Sequence, residues 1–267
     1  MSNLKILYVA SEINPFLQTT KVSDFVRKLP QAMQEKGMEI RILVPRFGLI
    51  NERQNRLHEV VRLSGINIPM GDEEKPLVIK VASIRAAKMQ VYFIDNEDYF
   101  HRKSVFHDKQ NKFYEDNDER AIFFCKGVIE TVRKLGWAPD IVHCNDWFTS
   151  FVPLYLKTTY KNDPLFKNSK TIFTVYNNGF NHKFKGNLID KVKMMDIEDN
   201  MLSNLKSANY EGFIKLGAEF SDVISTAENN GHLEGLLNNN KENKVETIEN
   251  SDDFTESYFN LYTELLG

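Results

Sequence analysis

Short apolar runs alternate with amphipathic segments along most of this 267-residue chain. Residues 5–10 and 40–44 are apolar and rich in β-favouring side chains, which indicates two buried strands. The segment between them has apolar residues at helical spacing, and we expect its helix to be capped by Ser23 and Asp24 and ended by Gly37. A strand, a helix and a second strand in this order predict a βαβ unit with a right-handed crossover.

The same alternation continues through the second half of the chain. The predicted elements are a helix at 119–135, a strand from 141, a helix at 147–160, a strand at 171–176, a helix at 205–220 and a strand at 223–226. Strands that alternate with helices favour a parallel sheet covered on both faces. The predicted fold is therefore α/β, a Rossmann-like doubly wound parallel sheet.

Residues 57–94 depart from this alternation. Short β-type runs at 78–84 and 89–94 are separated by polar turns, one of them at 71–74, so we expect antiparallel strands or a hairpin appended to the sheet. The long segment 96–118 is charged and aromatic. Its aromatic residues either pack the loop onto the core, which is the simpler interpretation, or serve a function, as long loops often do.

The composition changes after residue 228. Residues 229–250 are rich in Asn, Glu and Lys, which is typical of a flexible linker. Residues 251–267 begin with an acidic stretch and then place aromatic and leucine side chains on one helical stripe. The predicted organisation is a domain at 1–228, a linker at 229–250 and a C-terminal helix at 251–267 that packs back on the domain.

Composition and charge exclude several classes of function. The net charge of −3 gives no basic field for nucleic acid. Cys125 and Cys144 have neither metal-ligand spacing nor a disulfide framework, so no metal site is expected. No apolar run reaches the ~20 residues of a membrane span, and the first residues lack the apolar segment of a secretory leader. We therefore predict a cytoplasmic protein that binds neither membranes nor nucleic acid.

Polar side chains cluster where the strand from residue 141 ends. Ligands of open parallel sheets bind beyond the carboxyl ends of the strands, so His143, Asn145 and Asp146 are candidate binding residues. Two structural alternatives stay open at this point. His143 at the end of a buried strand is equally explained by a structural hydrogen bond, and Asp146 by capping the helix that follows.

Five segments carry a family resemblance: KILYVASEINPF at 5–16, LVPRF at 43–47, DNDER at 116–120, WAPDIVHCNDWFTSFVPLYL at 137–156 and the region 209–226. They resemble the bacterial glycogen synthase and plant starch synthase family, retaining glycosyltransferases with a nucleotide-sugar donor. The resemblance implies one half of a two-domain GT-B glycosyltransferase, with the active site in the cleft between domains. The terminal YFNLYTEL resembles the family's final helix, so the linker 229–250 is interpreted as the replacement of an excised second domain.

The family's glycine-containing loop after the first strand is altered in this chain. The family pattern Lys-Thr-Gly-Gly-Leu corresponds to residues 18–22, where Gln18 replaces the lysine that approaches the donor. Both glycines, which let the backbone come close to phosphate, are replaced by residues with side chains. Lys21 brings a charge back from a different backbone position, and the family's later aspartate is retained as Asp24. By resemblance, Lys21 and Asp24 are substrate-binding candidates.

Two further family positions are changed. In the pattern His-x-His-Asp-Trp the second histidine, which faces the transferred sugar, is Asn145, and in Thr-x-His-Asn the histidine is Tyr176. An asparagine amide bonds a sugar hydroxyl but takes up no proton near neutral pH. No catalytic residue is assigned, since three family positions now hold Gln18, Asn145 and Tyr176. The remaining substrate-binding candidates by resemblance are His143, Asn145, Asp146, Thr174 and Asn177.

Three functions follow from the resemblance and its gaps. The first is a catalytically degenerate domain that binds a sugar or glucan and regulates or scaffolds glucan metabolism. The second is a glucosyltransferase that moves glucose from ADP- or UDP-glucose to an α-1,4-glucan when a partner lobe completes the cleft. The third is a protein-interaction module that binds a protein partner, or a second copy of the chain, through the exposed cleft face. No cofactor is expected beyond a nucleotide-sugar ligand.

Overall fold

A computed structural model describes residues 4–186, 188–226, 244–247 and 254–267. The strands of the described part are β1 Lys5–Val9, β2 Glu39–Pro45, β3 His58–Glu59, β4 Ile66–Met70, β5 Glu73–Ile84, β6 Met89–Asp95, β7 Ile141–Asn145, β8 Lys170–Val175, β9 Val223–Thr226 and β10 Lys244–Thr247. The α-helices are α1 Lys21–Glu35, α2 Glu52–Asn55, α3 Glu97–Phe100, α4 Asn117–Leu135, α5 Phe151–Lys157, α6 Leu188–Val192, α7 Tyr210–Glu219 and α8 Phe254–Leu266.

The sheet runs in the order β10-β9-β8-β7-β1-β2-β6-β5-β3, and β4 pairs with β5. From β10 to β6 every neighbouring pair is parallel. β5 runs antiparallel to β6, and β3 and β4 run antiparallel to β5. The predicted parallel α/β sheet with an appended antiparallel hairpin is confirmed.

The helices form a layer on each face of the sheet. α4 packs with α5, and α5 with α7, whereas α1 packs with α8. The core between the layers is apolar, and β1, β7 and β8 are buried almost throughout. Burial on both faces is what a parallel sheet in the middle of such a fold requires.

Helix α1 begins earlier than the sequence predicts. Thr20 is its N-cap residue, since the Thr20 side chain accepts a hydrogen bond from Val22 N at 3.2 Å. Ser23 and Asp24 lie inside the first turn, so the expectation that they cap the helix is wrong. All three residue types are good caps, and Thr20 takes the role because its backbone is extended. Gly37 follows the last turn with φ +90°, as expected of a helix stop.

Two predicted helices are interrupted. The segment predicted at 147–160 divides into a 3₁₀ turn at Trp147–Thr149 and the helix α5. The segment predicted at 205–220 divides at Ala208, which has φ 47°, between a 3₁₀ stretch and α7. Asn209 causes the new start, because its side chain accepts a hydrogen bond from Gly212 N at 3.1 Å.

The long loop before α4 packs its aromatic side chains onto the core, as the simpler interpretation had it. Tyr99, Phe100 and Phe113 are buried. Arg120 of α4 holds the loop in place through two hydrogen bonds. Its Nε donates to Tyr99 O and its Nη1 to Val105 O, both at 2.7 Å.

The segment predicted as a linker is described only in part. Residues 244–247 form β10, which pairs in parallel with β9 from Lys244↔Val223 to Thr247↔Thr226. This part of 229–250 is therefore a strand and not a flexible linker, and the rest of the segment lies outside the described residues. Helix α8 lies over the sheet beside α1, with the Phe254 ring stacked on Phe25 at a centroid distance of 5.3 Å. No helix of the described residues is long and apolar enough to cross a membrane.

Candidate functional site

Two adjoining clefts lie at the carboxyl ends of β1, β7 and β8. The smaller, about 370 Å³, is lined by Thr19, Thr20, Lys21, Val22, Tyr176, Asn177 and Asn178. The larger, about 500 Å³, includes on its wall Ser11, Glu12, Leu49, His107, Asp108 and Trp147. Thr19, Thr20 and Asn178 border both. This is the edge of the sheet where parallel α/β folds bind their ligands.

Glu12 organises the loop between β1 and α1. Its carboxylate accepts hydrogen bonds from Thr19 N at 2.7 Å, Thr19 Oγ1 at 2.6 Å, Thr20 N at 2.7 Å and Thr20 Oγ1. The residue is only 2% exposed. Sequence reasoning missed Glu12, although it stands immediately beyond the first strand, because its bonding partners are seven and eight residues away.

Gln18 and Asp24 are bonded to each other at the rim of this loop. Gln18 Nε2 lies 3.3 Å from Asp24 Oδ2, and Asn14 Nδ2 donates to Asp24 Oδ1 at 2.8 Å. The retained aspartate therefore holds the loop together. Lys21 is exposed and lines the smaller cleft, where its charge can meet a ligand.

His143 lies in the core and not in the clefts. It is fully buried, with Nδ1 2.6 Å from the Tyr262 hydroxyl of α8 and Nε2 2.6 Å from Thr174 Oγ1. Burial lowers the pKa of His143 to about 3, so the ring is neutral near pH 7. The structural alternative for His143 is the one that its surroundings support.

Thr174 belongs to the same buried group. Its Oγ1 lies 2.5 Å from Ser225 Oγ, which in turn accepts a hydrogen bond from the Tyr258 hydroxyl at 3.0 Å. Thr174 is fully buried and does not appear on either cleft wall. His143 and Thr174, two of the substrate-binding candidates, thus join strands β7, β8 and β9 to helix α8.

Asn145 and Tyr176 are bonded to each other. The Tyr176 hydroxyl donates to Asn145 Oδ1 at 3.0 Å, and Asn145 Nδ2 donates to Val9 O at 3.3 Å and His143 O at 3.1 Å. Asn145 is fully buried, and 3% of Tyr176 is exposed. The resemblance places a sugar-facing histidine at position 145. The Asn145 amide at this position is instead hydrogen-bonded to groups of this chain.

Asp146 joins the end of β7 to the loop after β1. Its Oδ2 accepts from Ser11 Oγ at 2.6 Å and Ser11 N at 3.2 Å, and its Oδ1 accepts from Phe148 N at 2.8 Å. The last of these bonds caps the 3₁₀ turn, so the capping interpretation is confirmed. Burial raises the pKa of Asp146 to about 7, against the lowering effect of these donors.

Asn177 and Asn178 follow β8 on the cleft walls. Asn177 is exposed. Asn178 Oδ1 is buried and has no hydrogen-bond partner among the described residues. An acceptor of this kind is costly to leave unbonded, and a ligand hydroxyl can supply the missing donor. The sequence did not indicate Asn178, because the family pattern ends at its neighbour Asn177.

The ionisable residues on the described cleft walls are few. Lys21 is the cation, Glu12 and Asp108 are the carboxylates, and His107 is an exposed histidine. No group of three or more His, Cys, Asp or Glu within the described ranges could hold a metal ion. These walls therefore offer the amides and hydroxyls of neutral side chains together with a lysine, two carboxylates and a histidine.

Comparison with known proteins identifies the family. The family described as the starch synthase catalytic domain matches residues 5–241. The chain belongs to this family. The glycogen synthase of Chlorobium luteolum is 38% identical over 225 residues, which are 84% of this chain and 45% of that protein. The glycogen synthase of Chlorobium chlorochromatii is 43% identical over 180 residues, which are 66% of this chain and 36% of that protein. The chain thus spans less than half the length of these relatives.

Solved structures agree with the family assignment at the level of the fold. A starch synthase IV catalytic domain from Arabidopsis thaliana, bound to ADP and acarbose, matches with a TM-score of 0.74 and 21% identity over 96% of this chain and 53% of that chain. A sucrose-phosphate synthase from Thermosynechococcus elongatus matches with a TM-score of 0.52 and 12% identity over 98% of this chain and 99% of that chain. This chain therefore has the α/β architecture of a GT-B catalytic domain.

Proposed function

We propose that this starch synthase family domain recognises an α-glucan at the two clefts and does not by itself transfer glucose. It would act in the cytoplasm as a regulatory or scaffolding component of glucan metabolism. The observation that carries the proposal is the bonding of Asn145, whose amide is buried and bonded to Val9, His143 and Tyr176.

The case for degeneracy is electrostatic. By the family resemblance, the residue at position 145 is a histidine that faces the transferred sugar. Here that position offers a neutral amide turned toward the protein, and Tyr176 bonds it where the family has another histidine. His143 stays neutral because burial lowers its pKa to about 3. Loss of one preorganised polar group at an active site costs ~10²–10³ in rate, and here several are changed together.

The case for glucan recognition rests on the cleft walls. Exposed Asn177, the unbonded acceptor of Asn178 and the hydroxyl of Ser104 can bond sugar hydroxyls without any charge. The Arabidopsis relative of this fold binds acarbose, an oligosaccharide, and ADP. We extend the oligosaccharide to this chain because amide and hydroxyl groups on its cleft walls can bond sugar hydroxyls.

The proposal is tested by two measurements on the purified chain. Titration calorimetry with maltopentaose is expected to give heat, which Asn178→Ala reduces and the exposed control Asn67→Ala, on the distant strand β4, leaves unchanged. A radiometric assay with ADP-glucose or UDP-glucose and glycogen is expected to show no transfer. Steady transfer would overturn the degeneracy, and absence of heat from maltopentaose would overturn the glucan site.

A second candidate is glucosyl transfer by this domain in a complex with a partner lobe that completes the cleft. It is favoured by Lys21 on the wall of the smaller cleft, whose charge has the sign that the diphosphate of a nucleotide sugar requires. Glucosyl transfer from ADP- or UDP-glucose that appears only on addition of such a lobe is the result expected of this alternative. A chain that binds neither sugars nor nucleotides would instead favour the interaction module.

A further inference from the structure

Two segments from different parts of the chain contribute to the wall of the larger cleft. The first, residues 106–114, is a hairpin in which Tyr114 N donates to Phe106 O at 2.9 Å. The second is the 177–184 loop that follows β8. The hairpin places Phe106, His107, Asp108 and Asn111 on the wall, and the loop places Asn178 and Gly179 there. A ligand that touches both segments depends on how they are aligned.

The side chain of Phe113 joins the hairpin to the 177–184 loop. Its ring stacks on the ring of Phe180, with the centroids 4.8 Å apart and the planes at 23°. It also lies 5.2 Å from the ring of His182 and 6.2 Å from that of Trp147, which follows β7. Only 9% of Phe113 is exposed, so these rings form a packed contact. Aromatic pairs of this geometry contribute more than the burial of their area alone.

The hairpin that carries Phe113 is bonded internally. Asp108 Oδ1 accepts hydrogen bonds from Gln110 N at 2.9 Å and Lys112 N at 2.8 Å. His107 pairs with Phe113 across the hairpin, and their rings lie 5.2 Å apart. A displacement of the Phe113 ring is therefore expected to carry the wall residues His107 and Asp108 with it.

Other contacts hold the hairpin at its base. Asn117 Nδ2 of α4 donates to Phe106 O at 2.9 Å, and the Phe106 ring lies 5.0 Å from that of Trp147. Glu115, just beyond the hairpin, lies 3.5 Å from Nε2 of His182, but the Glu115 side chain is 48% exposed, and exposed pairs of this kind contribute little. The Phe113 ring, in contrast, makes a packed contact with the 177–184 loop itself.

We propose that Phe113 is a positioning residue that aligns the two segments of the larger cleft, so that the cleft favours a glucan chain over a disaccharide. The inference rests on the proposed glucan binding and adds the length of ligand that the site selects. The larger cleft, about 500 Å³, adjoins the smaller one of about 370 Å³. Clefts of ~300–1,000 Å³ take ligands larger than a single sugar. A chain that reaches both segments depends on their alignment, whereas a disaccharide bound to one of them does not.

The first test is Phe113→Leu, which keeps an apolar side chain and removes the ring. Calorimetric titration well below the unfolding temperature is expected to show about tenfold weaker binding of maltopentaose, and an affinity for maltose within about twofold of that of the unaltered chain. Phe166→Leu is the matched control. Phe166 is also a buried ring, 4% exposed, which packs on Tyr160 and lies on neither cleft wall. This variant should leave the affinity for maltopentaose within about twofold.

A double-mutant cycle tests whether the ring contact is the link. Phe180→Leu removes the other half of the stack and should also weaken the binding of maltopentaose. In the double variant Phe113→Leu with Phe180→Leu the loss should be less than the product of the two single losses, because both substitutions break the same contact. Losses that multiply in full would overturn the stack as the device that aligns the cleft.

Hydrogen exchange followed by mass spectrometry tests the alignment without any sugar. Phe113→Leu should speed the exchange of backbone N–H groups in the 177–184 loop, and Phe166→Leu should not. If the unaltered chain binds no maltopentaose, the proposed function fails, and this exchange then decides the role of Phe113. Unchanged affinity for maltopentaose, or an equal loss for both sugars, in a folded Phe113→Leu chain would overturn the selection for length. If Phe113→Leu does not fold, Phe180→Leu, a change at a half-buried ring, decides by the same titrations and by exchange in the hairpin.

Discussion

The hydroxyl group of Tyr262 lies 2.6 Å from Nδ1 of His143, although 119 residues separate them along the chain. These two groups belong to a row of four hydrogen-bonded side chains, Tyr8, Tyr262, His143 and Thr174. The Tyr8 hydroxyl lies 3.0 Å from that of Tyr262, and Nε2 of His143 lies 2.6 Å from Thr174 Oγ1. These groups are fully buried. Helix α8 is thus joined to the sheet by hydrogen bonds between neutral groups, in addition to its apolar contacts.

Tyr262→Phe tests this row. The substitution removes one hydroxyl and leaves His143 Nδ1 and the Tyr8 hydroxyl without their partner in the core. We expect the free energy of unfolding to fall by about 1–3 kcal/mol, the cost of buried polar groups left unbonded. Urea unfolding followed by circular dichroism measures the change. Tyr114→Phe, which removes a hydroxyl from a half-buried ring, should change it by less than about 0.5 kcal/mol. Equal effects of the two variants would contradict the role of the row.

The buried His143 makes stability depend on pH. Its pKa falls from 6.5 to about 3 on folding, so between these values the unfolded chain binds a proton that the folded chain does not. The contribution is complete above pH 6.5 and is lost as pH falls toward 3, by up to about 1.4 kcal/mol per pH unit. His143→Gln should remove this part of the slope when unfolding free energies are measured across that window.

Asp146 acts in the opposite direction. Its pKa rises from 3.8 to about 7 on folding, so the folded chain holds a proton that the unfolded chain has released. The contribution of Asp146 to the free energy of unfolding is complete below pH 3.8 and is lost as pH rises through 7. The two slopes oppose each other between about pH 4 and 6.5. His143→Gln should therefore make stability fall more steeply with rising pH in this window, and Asp146→Asn should make it rise. Parallel profiles for the two variants would exclude the assignment.

Asn145→His puts back the side chain that the family pattern has at this position. The ring is larger than the amide and has to fit against Tyr176 in a site with no exposed surface, so a loss of about 1–3 kcal/mol is expected. In the double variant Asn145→His with Tyr176→His, the smaller second ring makes room, and the loss should be less than additive by at least about 0.5 kcal/mol. Additive losses in urea unfolding would show that the two positions are not coupled.

The fold was predictable because strands and helices differ in the period of their apolar positions. Strands that alternate with helices predicted the parallel pairing around β7. Short β-type runs separated by polar turns predicted the antiparallel pairing of β5. The start of α1 was not predictable, since Thr20, Ser23 and Asp24 are all favoured caps and only the backbone angles of Thr20 distinguish them. The strand at 244–247 was missed because its surroundings are rich in Asn, Glu and Lys.

The site was predictable in place but not in detail. All five residues of β7 are buried, so apolar and polar positions do not reveal which side chains face the clefts. His143 faces α8 because Tyr262, far along the chain, supplies its partner. Such contacts between distant segments leave no local signal in the sequence. Glu12 gave no sign of its bonds to Thr19 and Thr20 because these residues are joined to it by an irregular loop, in which no periodic pattern indicates contacts.

Gly217 of helix α7 packs against the ring of Phe173 on strand β8. A Cβ atom on Gly217 would come within 2.8 Å of the ring of Phe173, which is fully buried and has little freedom to move. Gly217→Ala should therefore destabilise the chain by about 1–3 kcal/mol even though alanine is the better helix former. Gly127→Ala in α4 is the matched control, because its Cβ would meet methyl groups of Ile94 and Leu77 at 3.1 Å, so these side chains need to move by less than the Phe173 ring does. Thermal unfolding should show a clear loss for the first variant and a smaller one for the second, and the reverse order would mean that the α7–β8 contact adapts more readily than its geometry indicates.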